Sequence, residues 1–306
     1  MIEYCTVGMR YGDHQILTDI NLKIRAHELF VLVGPSGSGK TTLIRMVNRL
    51  TVPTSGQVKV AGKDVAASDL AKLRLSMGYV LQTASLFPNL TIADNVTIQL
   101  EQQGCSKAER KCKAQQLLAA VGLKEKDYLT RYPAALSGGQ QQRVAIARAL
   151  ATNPQLILMD ESFSALDPVL RRQMQDSLLS LHAKHGMTVL FVTHDMQEAL
   201  RLGDRIGVIN AGRLQQVGTP QEIIEHPANA FVRDFFASAR PRYGTLTDLL
   251  AATQPQPAVA GPLVTTVAEI LRLPVCDGEL CFSIAQQAYR LPVAKLLHYL
   301  GKREEK

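Results

Sequence analysis

Three short apolar runs, MGYVLQ (77–82), LILMDE (156–161) and TVLFVTHD (188–195), each close on polar residues. Unbroken runs of this kind fit parallel strands covered on both faces, whose C-terminal ends line a ligand crevice. Upstream, QILTDINLKI (15–24), LFVLVG (29–34) and GQVKVAGKDV (56–65) read as strands separated by glycines, the last with a turn at Ala61-Gly62. Helical patterns separate the apolar runs. In SKAERKCKAQQLLAAVGL, Lys107, Arg110 and Lys111 share one helical face while Ala114, Leu117, Leu118 and Val121 form an apolar stripe, so the basic residues read as the solvated side of an amphipathic helix. This alternation predicts an α/β fold with a three-layer sheet and a mostly helical insertion from about Ala84 to Ala151. After Ser238 the texture changes. TQPQPAVAGP (253–262) reads as part of an extended linker, LPVCDGELCFSI as a hairpin turning at Asp277-Gly278, and PVAKLLHYLGK as a short helix.

Composition narrows the class. With 306 residues, 46% hydrophobic and 20% charged, the chain has the balance of a globular protein and room for one large domain or two. No apolar run approaches the roughly 18 residues of a membrane helix. The opening MIEYCTVGMRYG lacks the basic-then-apolar order of a signal peptide, so a cytosolic location is expected. A net charge of +7 fits nucleic acid, an anionic membrane face or phosphate ligands equally. Cys5, Cys105, Cys112, Cys276 and Cys281 make no C-x-x-C and lack histidines at finger spacing; they read as reduced structural thiols, not zinc ligands.

The sharpest chemical signal is GPSGSGKT: Gly34, Pro35, Ser36, Gly37, Ser38, Gly39, Lys40 and Thr41, followed by Thr42 and a helix-like run. Between strand and helix, glycines let backbone N–H groups wrap phosphate oxygens, and the helix adds its positive N-terminal end. Lys40 can reach β- and γ-phosphates, and the Thr41 hydroxyl can take one Mg²⁺ position. A second glycine-rich helix start, LSGGQQQR, places Ser137, Gly138, Gly139 and Gln140 ahead of a helix-forming stretch, as a simple Ser N-cap or an anion-approach site.

GPSGSGKT, LSGGQ and LILMDE in that order and spacing resemble the ATP-binding cassette ATPases over roughly residues 1 to 236. The resemblance implies a P-loop NTPase core with an antiparallel β subdomain and a helical subdomain, and a head-to-tail homodimer with ATP between the copies. Each nucleotide would meet the P-loop of one copy and LSGGQ of the other. Tyr11 matches the aromatic that stacks on adenine, Gln82 the glutamine that contacts Mg²⁺ and senses the membrane partner, and His194 the histidine that touches the γ-phosphate. Asp160 would hold Mg²⁺ through water, and Glu161 would polarise the attacking water. SALD, ending at Asp167, resembles the loop that crosses to the other subunit's site. Ser162 departs from the family, where proline commonly follows the glutamate; weaker preorganisation is expected, with both carboxylates retained.

The domain reading is a nucleotide-binding domain over 1–238, a linker over 239–262 and a small α+β domain over 263–306. One cassette without sustained heptads or zinc ligands favours the ATPase subunit of a membrane importer over a nucleic-acid-associated ATPase of the same superfamily. MVNRLTVPTSGQV, DPVLRRQMQ and THDMQEALRLGDRIGVINAGRLQQVGTPQEII look most like the osmoprotectant, or quaternary-amine, uptake group, which handles glycine betaine, carnitine or choline. Amino-acid importers share much of this texture and stay open as an alternative. The group implies a separate integral membrane permease, an extracytoplasmic solute-binding protein, no nucleic-acid partner, and a peripheral place on the inner membrane face. Many of its members end in paired CBS modules; the tail here is too short for a pair and reads as a reduced regulatory remnant.

Overall fold

The computed structural model describes residues 1–237 except 165, and within the tail residues 264, 267–270, 273, 279–284, 287–293 and 296. The chain divides into two compact units, Met1–Phe236 and Ala237–Lys306.

The first unit holds two sheets. Strands β1 (Ile2–Tyr11), β2 (His14–Ile24), β4 (Ser55–Val60) and β5 (Lys63–Asp64) form an antiparallel sheet in the order β2-β1-β4-β5. β1 alternates Ile2, Tyr4, then Val7 and Met9 toward the core, the phase shifting where Thr6 adopts a positive φ and the pairing register slips. The β4–β5 turn falls at Ala61-Gly62, with φ of 49° and 78°, as the local sequence predicts. β1 runs to ten residues and ends in a tight hairpin with Tyr11 paired to His14.

The second sheet has the order β10-β9-β3-β8-β7-β6, built from β3 (Leu29–Val33), β6 (Met77–Val80), β7 (Leu156–Asp160), β8 (Thr188–Thr193), β9 (Arg205–Asn210) and β10 (Arg213–Gly218). β9, β3, β8, β7 and β6 run parallel. Every residue of β3, β7 and β8 is buried, which is why these strands read as apolar runs. The β9–β10 hairpin was not anticipated from the sequence; it turns at Ala211-Gly212, both at positive φ.

Helices α1 (Lys40–Val47), α2 (Leu70–Leu75), α6 (Pro168–His185), α7 (Met196–Leu202), α8 (Pro220–Glu225) and α9 (Ala230–Phe235) accompany the sheets, while α3 (Ile92–Gln102), α4 (Lys107–Ala120) and α5 (Gly138–Leu150) fill the predicted helical insertion between β6 and β7. α4 opens with a Ser106–Glu109 capping box and buries Ala114 and Leu118, with Lys107 and Lys111 exposed on the polar side. Cys5, Cys105, Cys112 and Cys281 are free thiols. Cys112 is exposed, so it is not a core thiol: α4 turns it to solvent.

In the second unit, α10 (Val267–Ile270) accompanies β11 (Glu279–Ile284) and β12 (Gln287–Pro292), which pair antiparallel around Val264, Ile270, Leu280, Phe282, Leu291 and Leu296. β11 pairs with the segment that follows it, Glu279 opposite Pro292 and Ile284 opposite Gln287. The expected linker over 239–262, the Asp277-Gly278 turn and most of the expected helix from 292 lie outside the described residues.

Candidate functional site

The carboxyl ends of β3, β6, β7 and β8 deliver four polar segments to one edge of the parallel sheet: Gly34–Gly39, Gln82, Asp160-Glu161 and His194. The loop after β3 takes its shape from its glycines. A side chain at Gly34 would place Cβ 2.1 Å from the Ile209 carbonyl oxygen, so backbone crowding forbids it. Gly37 and Gly39 sit at φ of 77° and 102°, where side chains are strained. Gly39 occupies the N-cap of α1 and supplies no side-chain acceptor, leaving first-turn N–H groups pointed out of the helix. Such donors suit an anion.

Lys40 is buried, and its ammonium donates to the Gly34 and Pro35 carbonyls at 2.9 and 2.8 Å, which leaves one N–H for a further acceptor. Burial lowers its pKa, while the Glu161 and Asp160 carboxylates act in the opposite sense. Pro35 and Ser36 lie at the rim; Ser38 is buried with its hydroxyl unpartnered in the protein. Thr42 follows in the first turn of α1.

Thr41 Oγ1 donates to Asp160 Oδ1 at 3.1 Å, closing the loop onto the end of β7. Asp160 is 4% exposed, and burial pushes its pKa up despite the Thr41 hydrogen bond. A buried carboxylate beside a hydroxyl and the nearby Gln82 amide offers hard oxygen donors, the set Mg²⁺ takes when phosphates and water complete its shell. Among the described residues no group of three or more His, Cys, Asp or Glu could cage a metal unaided. The donors therefore fit a cation that arrives with its anion.

Glu161 has φ 46°, left-handed for a residue with a side chain. Neighbours hold it there: its N–H donates to Val192 O at 2.9 Å, and its carbonyl accepts from Ser164 N and Oγ at 3.2 and 2.8 Å. Phe163, fully buried against Phe191 at a ring separation of 5.3 Å, anchors the same loop. The Glu161 carboxylate then meets His194 Nδ1 at 3.0 Å and Gln82 Nε2 at 3.5 Å, both through Oε2. Neither contact is visible in the sequence, where the three residues stand far apart. Ser162 is buried with its hydroxyl unpartnered, so it adds no bond to the acids beside it.

Ser137 caps α5: its Oγ accepts from Gln140 N, and Gln140 Oε1 accepts from Ser137 N at 2.9 Å. Gln140 Nε2 also donates to the Tyr128 hydroxyl at 3.1 Å. Gly138 faces open space, whereas a Cβ on Gly139 would come within 3.0 Å of Leu170. These bonds do not reach Lys40, Asp160 or Glu161. Asp167 caps α6, accepting from Val169 N and Leu170 N, which commits Oδ1 to its own helix. Tyr11 stands 53% exposed at its hairpin tip.

Two residues escaped the sequence reading. Gln142, 2% exposed on α5, donates to Leu81 O at 3.0 Å, and Arg148 donates to Ser85 O and Ala84 O at 2.9 and 3.1 Å. Together they hold the segment bearing Gln82 against the helix that Ser137 begins. The polar Gln142 inside an otherwise apolar helix face was the available signal.

A family model described as ABC transporter matches residues 17–164. The chain is 48% identical over 222 residues to the glycine betaine/proline betaine transport system ATP-binding protein ProV of Escherichia coli (strain K12), covering 71% of this chain and 55% of that protein. It is 39% identical over 274 residues to the choline transport ATP-binding protein OpuBA of Bacillus subtilis (strain 168), covering 88% of this chain and 72% of that one. The chain thus spans little more than half the length of the first of these relatives. Among solved structures, a dimeric ATP-binding cassette in a post-hydrolysis state bound to ADP and Pi superposes with a TM-score of 0.67 at 35% identity, over 72% of this chain and 99% of that one.

Proposed function

The chain belongs to the ABC transporter family, and from that premise we propose that it is the ATP-hydrolysing subunit of an importer for an osmoprotectant or quaternary amine. The observation that carries the proposal is the closure of the phosphate-type loop onto Asp160 through Thr41, with Glu161 beside it in contact with His194 and Gln82.

The first-turn N–H groups of α1 and the Lys40 ammonium bind the phosphates, with Ser36, Gly37, Ser38, Gly39, Thr41 and Thr42 forming the wall. Thr41, Asp160 and Gln82 would hold Mg²⁺, which when bound draws off charge developing on the β- and γ-phosphate oxygens. Glu161 accepts a hydrogen bond from the attacking water and takes its proton as the water oxygen bonds to the γ-phosphorus and the bond to the bridging β-phosphate oxygen breaks, ADP leaving with that electron pair. His194 orients the Glu161 carboxylate and faces the γ-phosphate. Tyr11 stacks on the base. Ser137, Gly138, Gly139, Gln140 and the Asp167 loop complete the site of a second copy, in a homodimer like the cassette dimer to which the fold is similar. The glycine betaine and choline transport proteins related to the chain support the solute class.

An integral membrane permease is the partner through which this subunit, in which no described helix is long and apolar enough to cross a bilayer, would sit on the inner membrane face. A solute-binding protein would act indirectly, and residues 263–306 would serve as a small regulatory domain after the cassette. The test is ATP turnover and solute uptake by the chain reconstituted with its permease. Mg²⁺-dependent hydrolysis, raised by permease and indifferent to nucleic acid, with uptake of a quaternary amine, is expected. Stimulation by DNA or RNA and none by permease would overturn the importer reading.

A further inference from the structure

We propose that Arg171 is a positioning residue that staples the loop after Glu161 to the turn bearing His194, so that the two side chains keep one mutual geometry; this rests on the hydrolytic reading above. Arg171 lies in the first turns of α6. Its Nη2 donates to Leu166 O at 3.1 Å and Ser164 O at 3.4 Å, and its Nη1 lies 3.7 Å from Asp195 Oδ2. Ser164 in turn donates twice to the Glu161 carbonyl, and Asp195 directly follows His194. One guanidinium therefore touches both segments whose side chains meet at Glu161 Oε2.

The His194 turn is itself anchored to α6 at a deeper level. Thr193 Oγ1 donates to Glu198 Oε2 at 2.6 Å and accepts from Asp195 N at 3.0 Å, and Gln175 Nε2 of α6 donates to Glu198 Oε1 at 3.2 Å. Glu198 is 5% exposed, so this carboxylate sits where a mobile turn would leave it unpaired at high cost. Asp195 Oδ1 caps α7 by accepting from Gln197 N and Glu198 N, leaving Oδ2 for Arg171. With one face of the turn fixed by Glu198, the Arg171 contacts decide how the Ser164 loop lies against it. The Arg171 Nε is buried without a protein partner, so the guanidinium is seated by its Nη contacts and not by its own best solvation. The planar fork is what lets one residue bond two carbonyls and face a carboxylate; a lysine ammonium on a single stem does not reproduce that.

The experiment uses the full chain with its permease and compares Arg171→Ala, Arg171→Lys and Asp195→Asn. Asparagine keeps the N-cap of α7 but removes the charge facing Arg171. Arg171→Ala is expected to lower kcat about ten-fold or more with KM for ATP within about two-fold, because the loss falls on the geometry of the reaction and not on nucleotide binding. Arg171→Lys should not restore it. Asp195→Asn should lose part of the rate, and its combination with Arg171→Ala should cost less than the product of the two. Hydrogen exchange on the nucleotide-free chain should show faster exchange in residues 163–167 and 193–198 of Arg171→Ala, with β3 unchanged. If Arg171→Ala fails to fold, Arg171→Lys and Asp195→Asn carry the same comparison. A kcat within about two-fold of wild type, a rise in KM alone, or unchanged exchange in those segments would overturn the staple. Absence of hydrolysis by the wild-type complex would count against the proposed function instead, and exchange would still judge the staple.

Discussion

His194 Nδ1 stands 3.0 Å from Glu161 Oε2, joining the end of β8 to the end of β7 across the edge where Thr41 also meets Asp160. With Glu161 ionised, that nitrogen carries the proton and donates. The imidazole thus fixes which way the carboxylate faces, in a backbone already bent to a left-handed φ.

Removing that partner separates orientation from binding. His194→Ala is expected to lower ATP turnover by about two orders of magnitude, the scale of losing a positioned acid–base partner, while affinity for ATP changes little. Single-turnover hydrolysis beside titration with a fluorescent nucleotide checks the split.

Asp160 gives a prediction with a definite pH sign. Burial raises its pKa above the ordinary 3.8, so the folded chain disfavours the carboxylate, and the stability that protonation supplies is present at low pH and lost as pH rises through the folded value. Asp160→Asn should therefore melt higher than wild type at neutral pH without nucleotide. The gap should close as the pH falls below the ordinary aspartate value. With Mg²⁺ and ATP present the order should reverse, since the variant loses the cation's ligand. Thermal unfolding across pH, with and without Mg²⁺ and ATP, measures both.

Two loop glycines should respond differently to the same substitution. Gly34→Ala drives a methyl group into the Ile209 carbonyl, a backbone atom that cannot step aside, and should abolish ATP binding and lower the melting temperature sharply. Gly37→Ala meets nothing within 4 Å and carries only the strain of its positive φ, about 1–2 kcal/mol. Denaturant unfolding of the two variants distinguishes crowding from strain.

Ser162 buries a hydroxyl that bonds to nothing in the protein. Ser162→Ala removes a desolvated polar group at no loss of a partner and should stabilise the chain by up to about 1 kcal/mol with turnover unchanged. Ser162→Pro instead fixes φ at the position where the family commonly carries proline, and is expected to leave turnover within a few-fold of wild type because it touches neither carboxylate. Unfolding and ATPase assays on the pair separate the hydroxyl from the backbone.

The parts of this molecule legible in the sequence are those where local chemistry dictates the form. Leu156–Asp160 and Thr188–Thr193 read as buried parallel strands because both faces are covered and nothing polar interrupts them. The phosphate-type loop reads from its glycines and the flanking strand and helix. Arg205–Asn210 and Arg213–Gly218 did not, since β10 is only partly buried and its RLQQVG lacks a clear alternation. The pairing of β11 with Gln287–Pro292 has no Asn-Gly or Asp-Gly signal between its strands to announce it. The meeting of Gln82, Glu161 and His194 depends on sheet order, which places β7 between β6 and β8. Arg171, Gln142 and Arg148 act through backbone carbonyls, contacts that residue types alone do not announce.

In the proposed reaction Glu161 takes the proton from the attacking water, while Lys40, Thr41 and Asp160 bind the nucleotide and its cation. The direct measurement is nucleotide binding and single-turnover hydrolysis by purified Glu161→Gln. Intact ATP affinity is expected, with hydrolysis reduced by about two orders of magnitude or more, equivalent to about 3 kcal/mol in the barrier, and an ATP-bound dimer that persists on a sizing column. Turnover near the wild-type rate, with no dimer accumulating, would rule Glu161 out as the base.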